Sequence, residues 1–201
     1  MPGTPKIYSA AQIQRGAVDL WVNVAEPASG SHTITLFSDG TPDATANPNA
    51  KHLGLLEGAA IGDYAPKFDL EKVDQDTAPV AAFLTDEEAT VQAVMKQQSF
   101  QNVLQYCLPP GFFSSGTTDE GVTLGQGGNI LAAPVTLACI APSADPAFKW
   151  SVALLYKAIP IAAFKTSLGK EKTAVYEVKF QGLSDLTRPA GDRLGSLYRT
   201  N

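Results

Sequence analysis

Charge is what this sequence has least of. Asp, Glu, Lys and Arg make up 17% of its 201 residues, against about a quarter in typical globular domains. Basic residues are the scarcer kind, with 15 Lys and Arg against 20 Asp and Glu, a net charge of −5. A chain of that sign does not grip nucleic acid by neutralising phosphates. Histidine is rarer still, and His32 and His52 stand twenty positions apart with no Cys or carboxylate pair at ligand spacing, which argues against zinc. The two cysteines, Cys107 and Cys139, lie in apolar surroundings far from any CxxC spacing, and read as buried, reduced thiols.

Long apolar runs are missing too. The most apolar stretch, Ile130 to Ala141, is broken by Pro134, well short of the roughly 18 residues of a membrane span. The opening MPGTPKIYSAAQIQRG has no apolar segment of the secretory kind, so the expectation is a soluble protein made in the cytoplasm. No serine sits in GxSxG. Gly125-Gln126-Gly127-Gly128 lacks the Lys-Ser/Thr of a phosphate loop. Asp69 and Glu71, two apart on an extended stretch, share a face as a glycosidase pair would, but this spacing is common on any solvated strand. No catalytic constellation emerges, and neither enzyme activity nor a cofactor is expected.

What is present is alternation. Val18, Leu20, Val22 and Val24 alternate with Asp19, Trp21 and Asn23, predicting a strand with an exposed Trp21. His32 to Phe37 reads as a second strand, and Ser38 to Ala50 as a thirteen-residue loop. LGLLEG follows at Leu53 to Gly58, then an extended stretch from Tyr64 to Val73. Thr85-Asp86-Glu87-Glu88 has the form of a capping box, and Val91, Val94, Met95 and Gln98 follow at helical spacing. This predicts an amphipathic helix over Asp86 to Cys107, stopped by Pro109 and Pro110.

Gly111 to Gly128 reads as a second long loop exposing Phe112 and Phe113. Asn129 to Ile140, Lys149 to Ile159 and Thr173 to Gln181 read as strands. In the last, Tyr176, Val178 and Phe180 face a core while Glu177 and Lys179 point away. The fold class is therefore α+β and mainly β: a β-sandwich or barrel with one helix. Residues 1–16 form an N-terminal arm, 17–186 a single domain and 187–201 a C-terminal arm. Low charge, exposed aromatics, long loops and arms together favour a subunit that reaches onto its neighbours.

The order of segments from Leu53 to Gly195 resembles the major tail tube protein of long-tailed phages. The likeness is carried by LGLLEG, the acidic stretch to Asp76, TDEEA, the pair LLYKAIPIAAF and AVYEVKFQGL, and the ending RPAGDRLG. It implies a β-sandwich with one flanking helix, in subunits that form hexameric rings stacked into a tube. It also implies a virion location, a tape measure, a tail terminator and distal tail proteins as partners, and DNA passing through unbound. Six copies would carry −30, and a channel wall of that sign repels phosphates. Asp69, Glu71, Glu177 and Lys179 are the candidates to face the lumen. Trp21, Asp39, Asp43, Asn47, Phe112, Phe113, Arg188, Arg193 and Tyr198 are the candidates for contacts between subunits or rings. Another virion component, such as a tail terminator or capsid-decorating protein, or a small β-rich hydrolase, would share parts of this profile.

Overall fold

The computed structural model describes residues 18–56, 60–71, 81–98, 106–107, 112–115, 120–123, 133–161, 165–166 and 176–201. Eleven strands run through these residues: β1 (Asp19–Val22), β2 (Lys51–Leu56), β3 (Ile61–Glu71), β4 (Ala81–Gln98), β5 (Phe112–Ser115), β6 (Glu120–Thr123), β7 (Val135–Pro142), β8 (Trp150–Pro160), β9 (Lys165–Thr166), β10 (Tyr176–Gly182) and β11 (Gly195–Thr200). All pairings are antiparallel. Six of the strands close on themselves in the order β8, β7, β1, β2, β4, β10 and back to β8. Closure leaves these strands no free edge where the barrel is complete.

Alternation fills the barrel from every side. Leu20 and Val22 of β1, Leu53 of β2, Val91, Ala93 and Met95 of β4, Leu137 of β7 and Tyr176, Val178 and Phe180 of β10 form one buried cluster. A second cluster lies on the outside of β7 and β8, where Ala138, Ile140, Val152, Leu154 and Tyr156 pack under Val24 and Ile34. β7 and β8 are therefore covered on both faces, which explains their nearly unbroken apolar sequences. The switch from inner to outer cluster occurs at Asn23. Its φ of 54° turns the chain over, so Val24 joins the outer cluster although two-residue spacing would send it inward with Val22.

Several sequence expectations are corrected. The predicted helix over Asp86 to Cys107 is a strand as far as Gln98, and residues 99–105 lie outside the described residues. The same side chains satisfy two periods. Val91 and Met95 are four apart, as a helix needs, but Ala89, Val91, Ala93 and Met95 also alternate, and the barrel interior selects the second pattern. In place of a capping bond, the Thr85 hydroxyl donates to the Lys67 carbonyl at 3.1 Å.

Phe112 and Phe113 belong to a hairpin, paired with Thr123 and Val122, not to a loop. The span His32 to Phe37 contributes only the bridge Leu36–Pro42. The irregular tail ends in a strand, since β11 pairs with β8 along six residues. Trp21 is half-buried against the outer cluster and tilted over His52, with ring centroids 4.8 Å apart.

Candidate functional site

β4 is eighteen residues long, and its two halves have different surroundings. From Thr90 to Gln98 it is a barrel strand, paired with β10 and β2. From Ala81 to Ala89 its pairing is with β3. The pair β3–β4 thus leaves the barrel as a two-stranded ribbon, about 25 Å long at 3.3 Å per residue. Among the described residues nothing covers it: nearly every position from Gly62 to Glu71 and from Ala82 to Glu87 is exposed.

Cross-strand partners share a face, so the register sorts the side chains. Tyr64 lies opposite Ala89, Pro66 opposite Glu87, Phe68 opposite Leu84 and Leu70 opposite Ala82. Tyr64, Phe68, Leu70 and Leu84 are 50–55% exposed, an apolar stripe in water. It prolongs the barrel's own interior face, because Ala89 is followed on the same side by Val91, Ala93 and Met95. A bulge makes the stripe continuous. Thr85 is left out of the pairing, which flips parity so that Leu84 joins Phe68 while Asp86 stays opposite Lys67.

The opposite face is charged. Asp63, Lys67, Asp69 and Glu71 of β3 share it with Asp86 and Glu88 of β4, along with the exposed Phe83. It continues across the barrel wall, since β4 pairs Val94 with Glu177 and Gln92 with Lys179. Gln92 Nε2 donates to Glu177 Oε1 at 2.7 Å along this surface. The structure therefore brings Asp69, Glu71, Glu177 and Lys179 onto one continuous sheet face, with six carboxylates and two lysines in all. Lys67 Nζ donates to Asp86 Oδ2 at 2.9 Å; this bond holds the Asp86 carboxyl below its usual range and raises the Lys67 ammonium. On the apolar side the Tyr64 hydroxyl donates to Glu87, which raises the phenol.

A groove of about 750 Å³ opens where the ribbon leaves the barrel. One wall is β4 around Leu84 to Glu87, and the other is Gly195 to Leu197 of β11 with Ala153 to Leu155 of β8 behind it. The gap has a topological cause. β10 and β11 follow one another along the same edge of β8, and β4 stays with β10 only to Thr90. Gly195 is required here, since a Cβ at that position would lie 2.1 Å from the Leu154 carbonyl oxygen.

The candidates for neighbour contacts are placed mostly on internal work. Arg188 is 4% exposed and stacks 3.7 Å over the Tyr156 ring. Its guanidinium donates to three backbone carbonyls, Asp192 (3.0 Å), Pro27 (2.7 Å) and Ser31 (3.2 Å), and to Glu26 Oε1 (3.0 Å). Arg193 Nε donates to the Arg188 carbonyl at 3.1 Å. The Ile34 N–H donates to the Tyr198 hydroxyl at 2.9 Å, tying β11 to the outer cluster.

Asn47 is buried and clamps its loop. Its Oδ1 accepts from the Ala25 N–H at 2.9 Å, and its Nδ2 donates to the Thr35 and Asp43 carbonyls at 3.1 and 3.0 Å. Asp39 and Asp43 close tight turns by accepting from the N–H groups of Thr41 and Thr45. The loop 38–50 is thus held within its own chain.

Three further groups have shifted protonation. Asp185 accepts from Lys157 Nζ at 2.7 Å and from the Thr187 N–H and hydroxyl, which push its carboxyl far below the usual range. Burial pushes the Cys107 and Cys139 thiols up to about 12, leaving both protonated and unreactive at neutral pH.

Alternation in the sequence could have revealed the apolar stripe: Tyr64, Pro66, Phe68 and Leu70 interleave with Asp63, Lys67, Asp69 and Glu71. The burial of Arg188 has no such signal, because most of its acceptors, the Pro27 and Ser31 carbonyls and the Glu26 carboxylate, lie far back in the chain.

No protein-family model matches this sequence, and no curated protein matches it. Among solved structures the chain is similar to the tail tube of SPP1, determined by solid-state NMR and cryo-EM, at 8% identity and a TM-score of 0.43, covering 92% of this chain and 77% of that one.

Proposed function

We propose that this chain is a structural subunit that assembles with copies of itself into rings, stacked as a phage-type tail tube, with the acidic face of the β10–β4–β3 sheet lining the channel. One observation carries the reading. The ribbon is amphipathic, its apolar stripe prolongs the barrel core, and nothing among the described residues covers that stripe. A monomer gains nothing from an exposed stripe of this kind, whereas a neighbour that covers it gains roughly 25 cal/mol for each Å² removed from water. Turning the apolar side to the neighbour sends the six carboxylates to the other side. A wall of net negative charge there repels DNA phosphates. The order of segments that resembles major tail tube proteins supports the same reading, as does the closed antiparallel barrel. The subunit on this reading is not an enzyme, and its partners are other copies and the remaining tail proteins.

Negative-stain microscopy of the purified chain is the direct test. Stacked rings are expected; discs that never stack would favour a terminator-like role, and monomers at high concentration would overturn self-assembly. The channel is tested separately by changing Asp69 and Glu71 to Lys, which moves each subunit from −5 to −1. Assembly should survive, and DNA passage should slow most at low salt, where screening is weakest.

A further inference from the structure

β3 pairs with β4 and, among the described residues, with no other strand. An edge as long as Ile61–Glu71 is a template for an added strand. The path of the chain points to which strand is added. β10 takes one side of β4, pairing with Thr90 to Met95. β2 also pairs with Met95, and β3 with Thr90 to Gln92, so both lie on the other side of β4 and follow one another along it. β1 flanks β2 and runs against it, from Val22 beside Lys51 to Asp19 beside Leu55. Traced back beyond Asp19, the chain is therefore aimed along the outer edge of β3.

We propose that residues 6–15 of the same chain form the added strand, prolonging β1 and capping the edge of β3. The contact lies within one copy and does not depend on the self-assembly reading. Its register follows from the pairings. With Asp19 beside Leu55, Val18 falls beside Leu56, which pairs with Met95. Ile61 pairs with Gln92, three residues further along β4. Three residues back from Val18 is Arg15, which falls beside Ile61, and Tyr8 then falls beside Phe68. Side-chain parity agrees. Leu20 is buried in the barrel, and Tyr8, an even number of residues earlier, keeps the same side in an unbroken strand. Phe68 belongs to the stripe that prolongs this interior, so two aromatic rings meet across the strands.

The composition of the arm fits the place. Lys6 to Arg15 contains no Gly or Pro, and Pro5 ends the stretch. Gly16 falls at the step from β2 to β3, where it tolerates a bend. Lys6 and Arg15 are the only charged side chains of the added strand, and β3 offers Asp63, Asp69 and Glu71 against the single Lys67. With its edge capped, the ribbon is barred from edge-to-edge pairing with stray strands.

Disulfide trapping on the full-length chain tests this. Chains carrying both Tyr8→Cys and Phe68→Cys, half of them labelled with heavy nitrogen, are mixed and oxidised, and mass spectrometry reads the peptides bridging positions 8 and 68. Bridges of uniform label are expected, at ten times or more the yield of a Tyr8→Cys/Leu84→Cys pair, whose second cysteine lies one strand further away. Bridges of mixed label would assign the strand to a second copy, and the absence of a bridge would leave the edge of β3 to some other segment; either result overturns the proposal. Amide exchange gives a second reading. Ser9→Pro with Ala10→Pro removes adjacent N–H groups from the arm. The β3 amides that face away from β4 should then exchange at least tenfold faster while those bonded to β4 keep their rates. Equal rates in the variant and the wild type would overturn the added strand.

Discussion

The two halves of β4 carry the same alternating pattern and meet opposite fates. From Ala89 to Met95 the inward side chains are sealed by five other strands, and Met95 is fully buried. A few residues earlier, Leu84 stands half exposed beside Phe68 and Leu70. A closed barrel uses apolar residues to hold itself together. A ribbon that continues the same stripe into water is covered by nothing among the described residues, and on the proposed reading its stripe serves an association. The comparison predicts that substitutions in the barrel damage folding and that equivalent substitutions in the ribbon damage only assembly.

The largest effects should come from the barrel and the Arg188 network. Phe180→Ala empties a fully buried position and should cost about 3–5 kcal/mol of unfolding free energy in urea titrations. Arg188→Ala leaves its carbonyl acceptors and Asp192 without their partner and should cost a similar amount, about 3–5 kcal/mol. Gly195→Ala should come next. Its new Cβ collides with the Leu154 carbonyl and loosens β11, costing about 1–3 kcal/mol with faster amide exchange in Gly195 to Thr200.

A smaller effect depends on pH. The Asp185 carboxyl is held low by Lys157 and Thr187, so its contribution is complete above about pH 4, the ordinary carboxylate value. It is lost as the pH falls through the lower folded-state value. Melting temperature should therefore decline on acidification, and Asp185→Asn should flatten that decline while lowering stability at neutral pH. Smallest of all is Lys67→Ala on the exposed ribbon. The unfolding midpoint should not move measurably, because the pair with Asp86 is solvated on both sides.

The same contrast explains what the sequence could reveal. β10 was legible because its first five residues alternate cleanly and both of its faces keep the expected environment, Tyr176, Val178 and Phe180 inside and Glu177 and Lys179 outside. β4 was not, because Thr85 to Glu88 satisfies helix-start rules and the apolar spacing fits two periods; the deciding term is the barrel, a set of contacts distant in sequence. β11 was hidden behind RPAGDRLG, whose turn residues belong to the Arg188 loop and mask the short strand after it. Asp69 and Glu71 were recognisable as sharing a face. That Glu177 and Lys179 share the same one follows only from the pairing of β3, β4 and β10.

The most direct test of the ribbon's role compares the wild-type chain with Phe68→Ser/Leu70→Ser by analytical ultracentrifugation, with urea unfolding run alongside. The account predicts that the wild type sediments as rings or larger assemblies, whereas the double variant sediments as a monomer with an unchanged unfolding midpoint. A double variant that assembles like the wild type would contradict it, as would a wild-type chain that stays monomeric at the highest concentration reached.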